Sequence, residues 1–273
     1  MLRPIYRKTF RKQQEKFILQ NYLDDLQIIH SIRGDDFLRE NPVDHTPGVV
    51  HFYEKDGFSA NFRWLRYIYL AKRILDLEIL GSNSVWLDIG SYYGGLQGLI
   101  RKYNPDVNII LVDFHHQLCR SYIYLKSLYP NSKHIFPNQL EDLKNFLSAH
   151  NGCFCYVPAS EFFLLKDLSV DLATNFFSFG EMKREFFADY FYSDVISNSR
   201  YMYLVNRFVS SPWYEPTYDS DLSVSDYFNE NREIEYFDVF PMHHYHTIYR
   251  NLFGRPGFRN TSSSYFELIS KPK

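Results

Sequence analysis

The 273-residue sequence predicts a three-layer α/β sandwich, a mostly parallel seven-stranded sheet with an antiparallel C-terminal strand, preceded by a helical N-terminal cap. Three observations carry this expectation. From Ser84 onward, short apolar runs alternate with amphipathic segments, the pattern of right-handed βαβ units. The first run, SVWLDIG, ends in an acid and a glycine, Asp88 and Gly90, and the pair Gly94 and Gly95 opens the segment that follows. After Phe208 the alternation stops, and two strand-like pieces close the chain.

Each element follows from its residues. In residues 12–31, Phe17, Tyr22, Leu26 and Ile29 recur at helical intervals, and Asn61 to Leu80 shows the same period. The Pro-, Gly- and charge-rich stretch RENPVDHTPGVVHFYEKDGFS between them reads as a long loop. Residues 1–80 are therefore expected to form a cap or lid, and 81–273 the sheet domain. Strands are expected at SVWLDIG, VNIILVDF, CFCYVP, VDLATNFFSF and RYMYLVNRF. Helices are expected at GGLQGLIRKYN, QLCRSYIYLKSLY, QLEDLKNFLSAH and EMKREFFADYFYSDVIS. A polar, aromatic insertion occupies about 207–235, and EYFDVFPM and SSYFELISK supply the last strands.

Composition narrows the partners. Thirty Lys and Arg against 32 Asp and Glu leave a formal charge of -2, without the basic field that phosphate backbones select. Nucleic acid is not an expected partner. Aromatic residues make up 19% of the chain, with 25 Phe and 23 Tyr. Most must fill core, while the remainder suits a sugar-binding surface or a homodimer contact, since a tyrosine offers an apolar face and a polar tip. Cys119, Cys153 and Cys155 read as reduced core thiols. The N-terminus lacks the apolar stretch of a secretory signal and no segment has the length of a membrane span, so a soluble, cytoplasmic protein is expected.

The loop after the first strand is the expected ligand cradle, because open α/β sheets bind ligands at the carboxyl ends of their strands where chain order reverses. Gly90 permits a sharp turn, and Gly94 a close backbone approach at the helix start. Asp113, ending the second strand, is placed to accept hydrogen bonds from both hydroxyls of a ribose. A dinucleotide fingerprint requires a small middle residue beside the pyrophosphate, and this loop has Tyr92 there. S-adenosylmethionine carries no phosphate, and its amino-acid end can be met by loop amides and by Asp88. A strand-turn-helix whose glycines serve packing alone is the plainer alternative.

VWLDIGSYYGG together with LVDF resembles motifs I and II of the class I S-adenosylmethionine-dependent methyltransferases, which are Rossmann-like. Asp88, Gly90 and Gly94 match the motif, and Tyr92 departs from it. NFFSFGEM, YLVNR and FRWLRYIYLAKRI are similar to a bacterial group of sugar O-methyltransferases found with polysaccharide biosynthesis, over roughly residues 50–270. The resemblance implies S-adenosylmethionine as methyl donor and a sugar or glycan hydroxyl as acceptor. The cofactor residues are then expected to be Asp88, Gly90, Ser91, Gly94, Asp113 and Phe114, with Ser160 and Phe177 around the adenine.

Methyl transfer to a hydroxyl needs an aligned acceptor and a base, or a metal that lowers the hydroxyl pKa. Candidate bases are His243 and His244 in PMHHYH, since imidazole titrates near neutrality, and Glu181 at a helix start. A divalent metal held by His246 with His243 or His244 and Asp238 stays open but is not favoured. His115 and His116 are expected along the adenosine edge. Asn206 and Arg207 after the fifth strand, Tyr53 and Arg63 from the cap, and Trp213 in the insertion, beside Tyr214 and Tyr218, are the expected acceptor contacts. A methyltransferase for another small-molecule hydroxyl, or a non-catalytic adenosine-binding module, are the competing readings.

Overall fold

The computed structural model describes residues 19–43, 53–55, 58–210, 222–242, 245–250, 256–260 and 265–273, with the backbone alone for 53–55, 58–60, 140–141, 245–250 and 256–260. Helix α1 covers 19–31 and buries Tyr22 and Ile29, as their spacing predicts. After α2 (Asp35–Glu40), the short strands β1 (Tyr53–Lys55) and β2 (Phe58–Ala60) pair antiparallel within the stretch expected to be loop. Helix α3 (Phe62–Asp76) starts where Asn61 Oδ1 accepts the Trp64 amide at 2.9 Å, an N-cap that satisfies an otherwise orphan donor. It ends before the expected Leu80 because the chain turns at Glu78, whose φ of 51° no helix allows.

Strands and helices then alternate: β3 (Val85–Ile89), α4 (Gly95–Tyr103), β4 (Asn108–Asp113), α5 (His115–Leu128), β5 (Lys133–Ile135), α6 (Leu143–Ala149), β6 (Cys153–Pro158), β7 (Leu172–Phe176), α7 (Arg184–Phe191), α8 (Asp194–Ser197) and β8 (Tyr201–Arg207). The last elements are β9 (Arg232–Val239), the antiparallel pair β10 (Tyr245–Arg250) and β11 (Pro256–Asn260), and β12 (Tyr265–Pro272). The main sheet has the order β5-β6-β4-β3-β7-β8-β12-β9. Only β12 opposes the others, since it is antiparallel to both β8 and β9. This is a Rossmann-like α/β fold.

The sheet has eight strands where seven were expected. The extra one, β5, is three residues long and pairs with the edge of β6, too short to give a readable alternation. The helix expected over residues 181–197 is instead two, because α7 stops at Tyr192 and the chain re-enters α8 through extended Ser193.

Side chains sort by strand parity. Leu87, Ile89, Ile110, Val112, Cys153 and Cys155 face one layer with Phe179, Phe187 and Phe191. Trp86, Phe154 and Tyr156 face the opposite layer, where Tyr122 of α5 meets Tyr156 edge-on and Arg101 of α4 lies over Phe154 at 4.3 Å. Cys153 and Cys155 are buried free thiols, but Cys119 is exposed on α5 and not in the core as expected. The aromatic surplus packs largely as edge-to-face pairs, such as Phe179 with Phe187 and Tyr227 with Phe266.

By internal contacts the chain forms two compact units, Met1–Lys72 with Pro241–Ser262, and Arg73–Phe240 with Ser263–Lys273. The second holds the whole main sheet. Among the described residues no helix is long and apolar enough to cross a membrane.

In the second unit, Glu267 of β12 is fully buried and accepts from Tyr203 Oη at 2.5 Å and Arg73 Nε at 3.2 Å. Glu267→Ala deletes the acceptor both share and is expected to lower the unfolding free energy by about 3 kcal/mol. Glu267→Gln keeps an acceptor for the phenol and loses less. Urea denaturation midpoints of the two variants check this order.

Candidate functional site

From β3 the chain winds outward to β4 and β6, then returns to β7 on the other side of β3, so its order reverses between β3 and β7. The carboxyl ends of these strands are where such a sheet leaves room for a ligand. At that position lies a cavity of about 520 Å³. Ile89, Gly90, Asp113 and Ser160 line it from the strand ends, and Met182, Phe186 and Tyr190 from the segment leading into α7 and along it.

The backbone of the first loop explains its glycines unequally. Gly90 has φ +82°, and a Cβ there would lie 2.7 Å from Ser178 Cβ, so only glycine fits against the β7 loop. Gly94, at φ +88°, stands where a Cβ would press Leu125 of α5 at 3.0 Å. The close approach seen at this glycine is to a neighbouring helix.

The two tyrosines turn away from the cavity. Tyr92 holds the left-handed conformation usually reserved for glycine, φ +54°. Its N–H donates to Asp113 Oδ2 at 2.9 Å, and its carbonyl accepts from Ser121 Oγ of α5 at 2.7 Å. Tyr93 is buried and meets Tyr124 of α5 edge-on at 5.0 Å. Neither ring lines the cavity. A bulky pair is accommodated because it staples the loop to α5.

Asp113 ends β4 with its carboxylate at the cavity wall. Oδ1 accepts the Phe114 amide at 2.7 Å and Oδ2 the Tyr92 amide. Each oxygen keeps a further lone-pair direction. Burial raises its pKa above the usual carboxylate value, opposed by the two amides and by His116. Phe114 is 59% exposed at the rim and stacks on His116 at 5.9 Å. Both His115 and His116 are exposed at the start of α5.

Asp88 does not reach the cavity. On β3 it points to the face opposite Ile89, is 2% exposed, and accepts from Thr174 Oγ1 at 2.5 Å and from Gln97 Nε2. Burial without a cation, together with the nearby Asp113, raises its pKa to about 7, against the two hydrogen bonds. It ties β3 to α4 and β7 and is not among the residues that line the cavity. Ser91 is buried and its Oγ has no hydrogen-bond partner among the described residues.

Phe177 and Asn206 likewise lie outside the cavity lining. Phe177 sits at φ +69°, and its ring meets Phe240 and Tyr265 at 5.4 and 5.3 Å, away from the cavity lining. Asn206 is fully buried, donating to Asn175 Oδ1 at 3.0 Å and accepting the Gly180 amide at 3.2 Å. Its amide nitrogen also donates to Asn175 O at 3.2 Å, so these bonds all lie within the fold. Arg207 lies over Tyr265 at 5.3 Å and is not part of the cavity wall.

Among the expected base candidates, Glu181 lines the cavity. His243, His244 and Trp213 lie outside the described residues, as do the side chains of His246 and Tyr53. Arg63, in the first turn of α3, belongs to the other unit. Among the described residues no group of three or more His, Cys, Asp or Glu is placed to hold a metal ion. Met182, Lys183, Phe186 and Tyr190 escaped the sequence reading, although Phe186 and Tyr190 sit four apart on one helix face.

No protein-family model matches the chain, and no curated protein matches it. Solved structures that align with it include a protein from Galdieria sulphuraria assigned as a sarcosine dimethylglycine methyltransferase, at 17% identity and TM-score 0.36, covering 54% of this chain and 47% of that one. The chain thus spans about half the length of that protein. A SAM-dependent methyltransferase from Aquifex aeolicus aligns at 11% identity and TM-score 0.40, covering 74% and 89%. The mitomycin 7-O-methyltransferase MmcR aligns at 8% identity and TM-score 0.39, covering 77% and 58%. At these values the likenesses add nothing to what the strand order establishes.

Asp88 gives a pH test. Its folded pKa of about 7 exceeds the ordinary 3.8, so the neutral acid favours the fold. That contribution is complete below the unfolded value and is lost as pH rises through about 7. Asp88→Asn, fixed in the neutral form, is expected to gain stability relative to wild type at about pH 8 compared with about pH 5. Urea midpoints at the two pH values measure it, and an unchanged difference contradicts the assignment.

Proposed function

We propose that the chain is an S-adenosylmethionine-dependent O-methyltransferase acting on a sugar hydroxyl, in surface polysaccharide assembly. The observation that carries the cofactor reading is Asp113: a carboxylate with spare acceptor capacity at a cavity wall, one tight glycine turn from the strand-order reversal. It suits the two hydroxyls of a ribose. Ile89, Val112, Phe114 and Phe186 offer apolar surface for a planar base, and Ser160 a polar contact beside them. The buried Ser91 hydroxyl, without a partner among the described residues, is a further polar atom in the loop, outside the cavity lining. The sugar is supported by the sequence resemblance alone.

When bound, the sulfonium cofactor supplies an activated methyl group and departs as a neutral thioether. The acceptor oxygen loses its proton as the new carbon–oxygen bond forms, and Glu181 is the described side chain at the cavity suited to receive it. The apolar walls exclude water and strengthen each polar contact inside. Ring edges and the Asn175 amide hold the loops in place, so that alignment is set before the acceptor arrives.

Calorimetric titration with S-adenosylhomocysteine tests the cofactor site. Asp113→Asn is expected to weaken binding about ten- to hundred-fold, the effect of losing charge-assisted hydrogen bonds. Glu181→Gln is expected to keep that affinity and lose turnover. Wild-type affinity in Asp113→Asn removes the cofactor reading, and transfer confined to phenolic acceptors replaces the sugar with another small-molecule hydroxyl.

A further inference from the structure

The carboxyl end of β8 carries a cation to which no described residue gives a counter-charge. Arg207 is half-buried, and its Nε is sealed from solvent without a hydrogen-bond partner among the described residues. No described carboxylate lies within ion-pairing distance of it. Four other guanidiniums of this unit have partners, although Arg101 Nε is also left without a hydrogen bond among the described residues. Arg73 pairs with Glu267 and Arg184 with Asp226, while Arg232 and Arg101 donate to main-chain carbonyls. A half-desolvated cation without a counter-charge is unfavourable, so an anion at its exposed end improves the position.

One ring packs against it. Tyr265 stands directly opposite Arg207 in the antiparallel β8–β12 register, and the guanidinium lies 5.3 Å from that ring centroid. The contact packs the group against the ring and leaves its two terminal nitrogens, which unlike Nε are not sealed from solvent, to meet carboxylate or phosphate oxygens. Its location is beside the cavity. A Cβ on Gly180 would lie 3.4 Å from Arg207 Cβ, and the next residue, Glu181, lines the cavity.

We infer that Arg207 binds an anionic group of the acceptor, so that the sugar methylated is an acidic one, carrying a carboxylate or a phosphate. This rests on the methyl-transfer reading of the cavity. The guanidinium would offset the repulsion between an acidic acceptor and Glu181, and would fix which hydroxyl faces the methyl donor. A uronate and a sugar phosphate present the same oxygen chemistry to it.

The protein saturated with S-adenosylhomocysteine is titrated calorimetrically with glucuronate, glucose 1-phosphate and glucose. At least one acid is expected to bind about ten-fold or more tightly than glucose. Whichever binds identifies the source of the anion. Arg207→Met is expected to reduce that acid to the level of glucose with unchanged S-adenosylhomocysteine affinity, and Arg207→Lys to restore part of it. Equal binding of glucose and the acids, no binding of either acid, or full acid binding by Arg207→Met overturns the inference alone. Failure of the wild type to bind S-adenosylhomocysteine overturns the cofactor reading and this inference with it.

Discussion

The carboxyl edge of the sheet depends on one buried amide. Asn175, the next-to-last residue of β7, donates to Ile89 O at 2.9 Å and to Ser178 Oγ at 2.6 Å, while its Oδ1 accepts the Phe179 amide and the Asn206 side chain. These bonds join the ends of β3, β7 and β8 with the turn that carries Glu181. An aspartate has no donors for Ile89 O, and an apolar residue removes all four bonds and leaves the Phe179 amide without its acceptor. With Ser178 held there, Gly90 has no room for a side chain, so the sharp turn of the first loop follows from the same bond set.

Two acids on successive strands have come to opposite uses through burial. Asp88 points into the α4 layer, where it meets only the neutral donors Thr174 and Gln97, and the environment favours its neutral form. Asp113 stands at the cavity wall with two main-chain amides supporting its charge. The amide of Tyr92 reaches Asp113 only because that residue accepts a left-handed backbone, and its neighbour Tyr93 anchors the loop against α5. The bulk of the loop is therefore structural, and its ligand-facing surface is main chain and Asp113.

The aromatic surplus divides in the same way. Phe179, Phe187, Phe191 and Tyr227 interlock in the layer beneath the cavity, giving its floor a rigidity that single aliphatic side chains would not. Phe114 and Phe186 remain 59% and 54% exposed at the wall, where apolar surface open to water is unfavourable until something covers it. Tyr265 packs against the guanidinium of Arg207 at the carboxyl end of β8.

The sequence by itself determined the layered α/β architecture, the parallel core and the reversal of β12, because apolar period and βαβ handedness leave few ways to bury those runs. It also located Gly90 and Asp113, since strand-end positions follow from where each run stops. Tertiary structure alone decided which face Asp88 takes, that Asn206 serves Asn175, that Phe177 packs on Phe240, and that α7 brings Phe186 and Tyr190 to the cavity. Those outcomes depend on contacts between residues far apart in the chain, for which local spacing holds no record. The three-residue β5 belongs with them: a strand that short exists only because β6 offers an open edge.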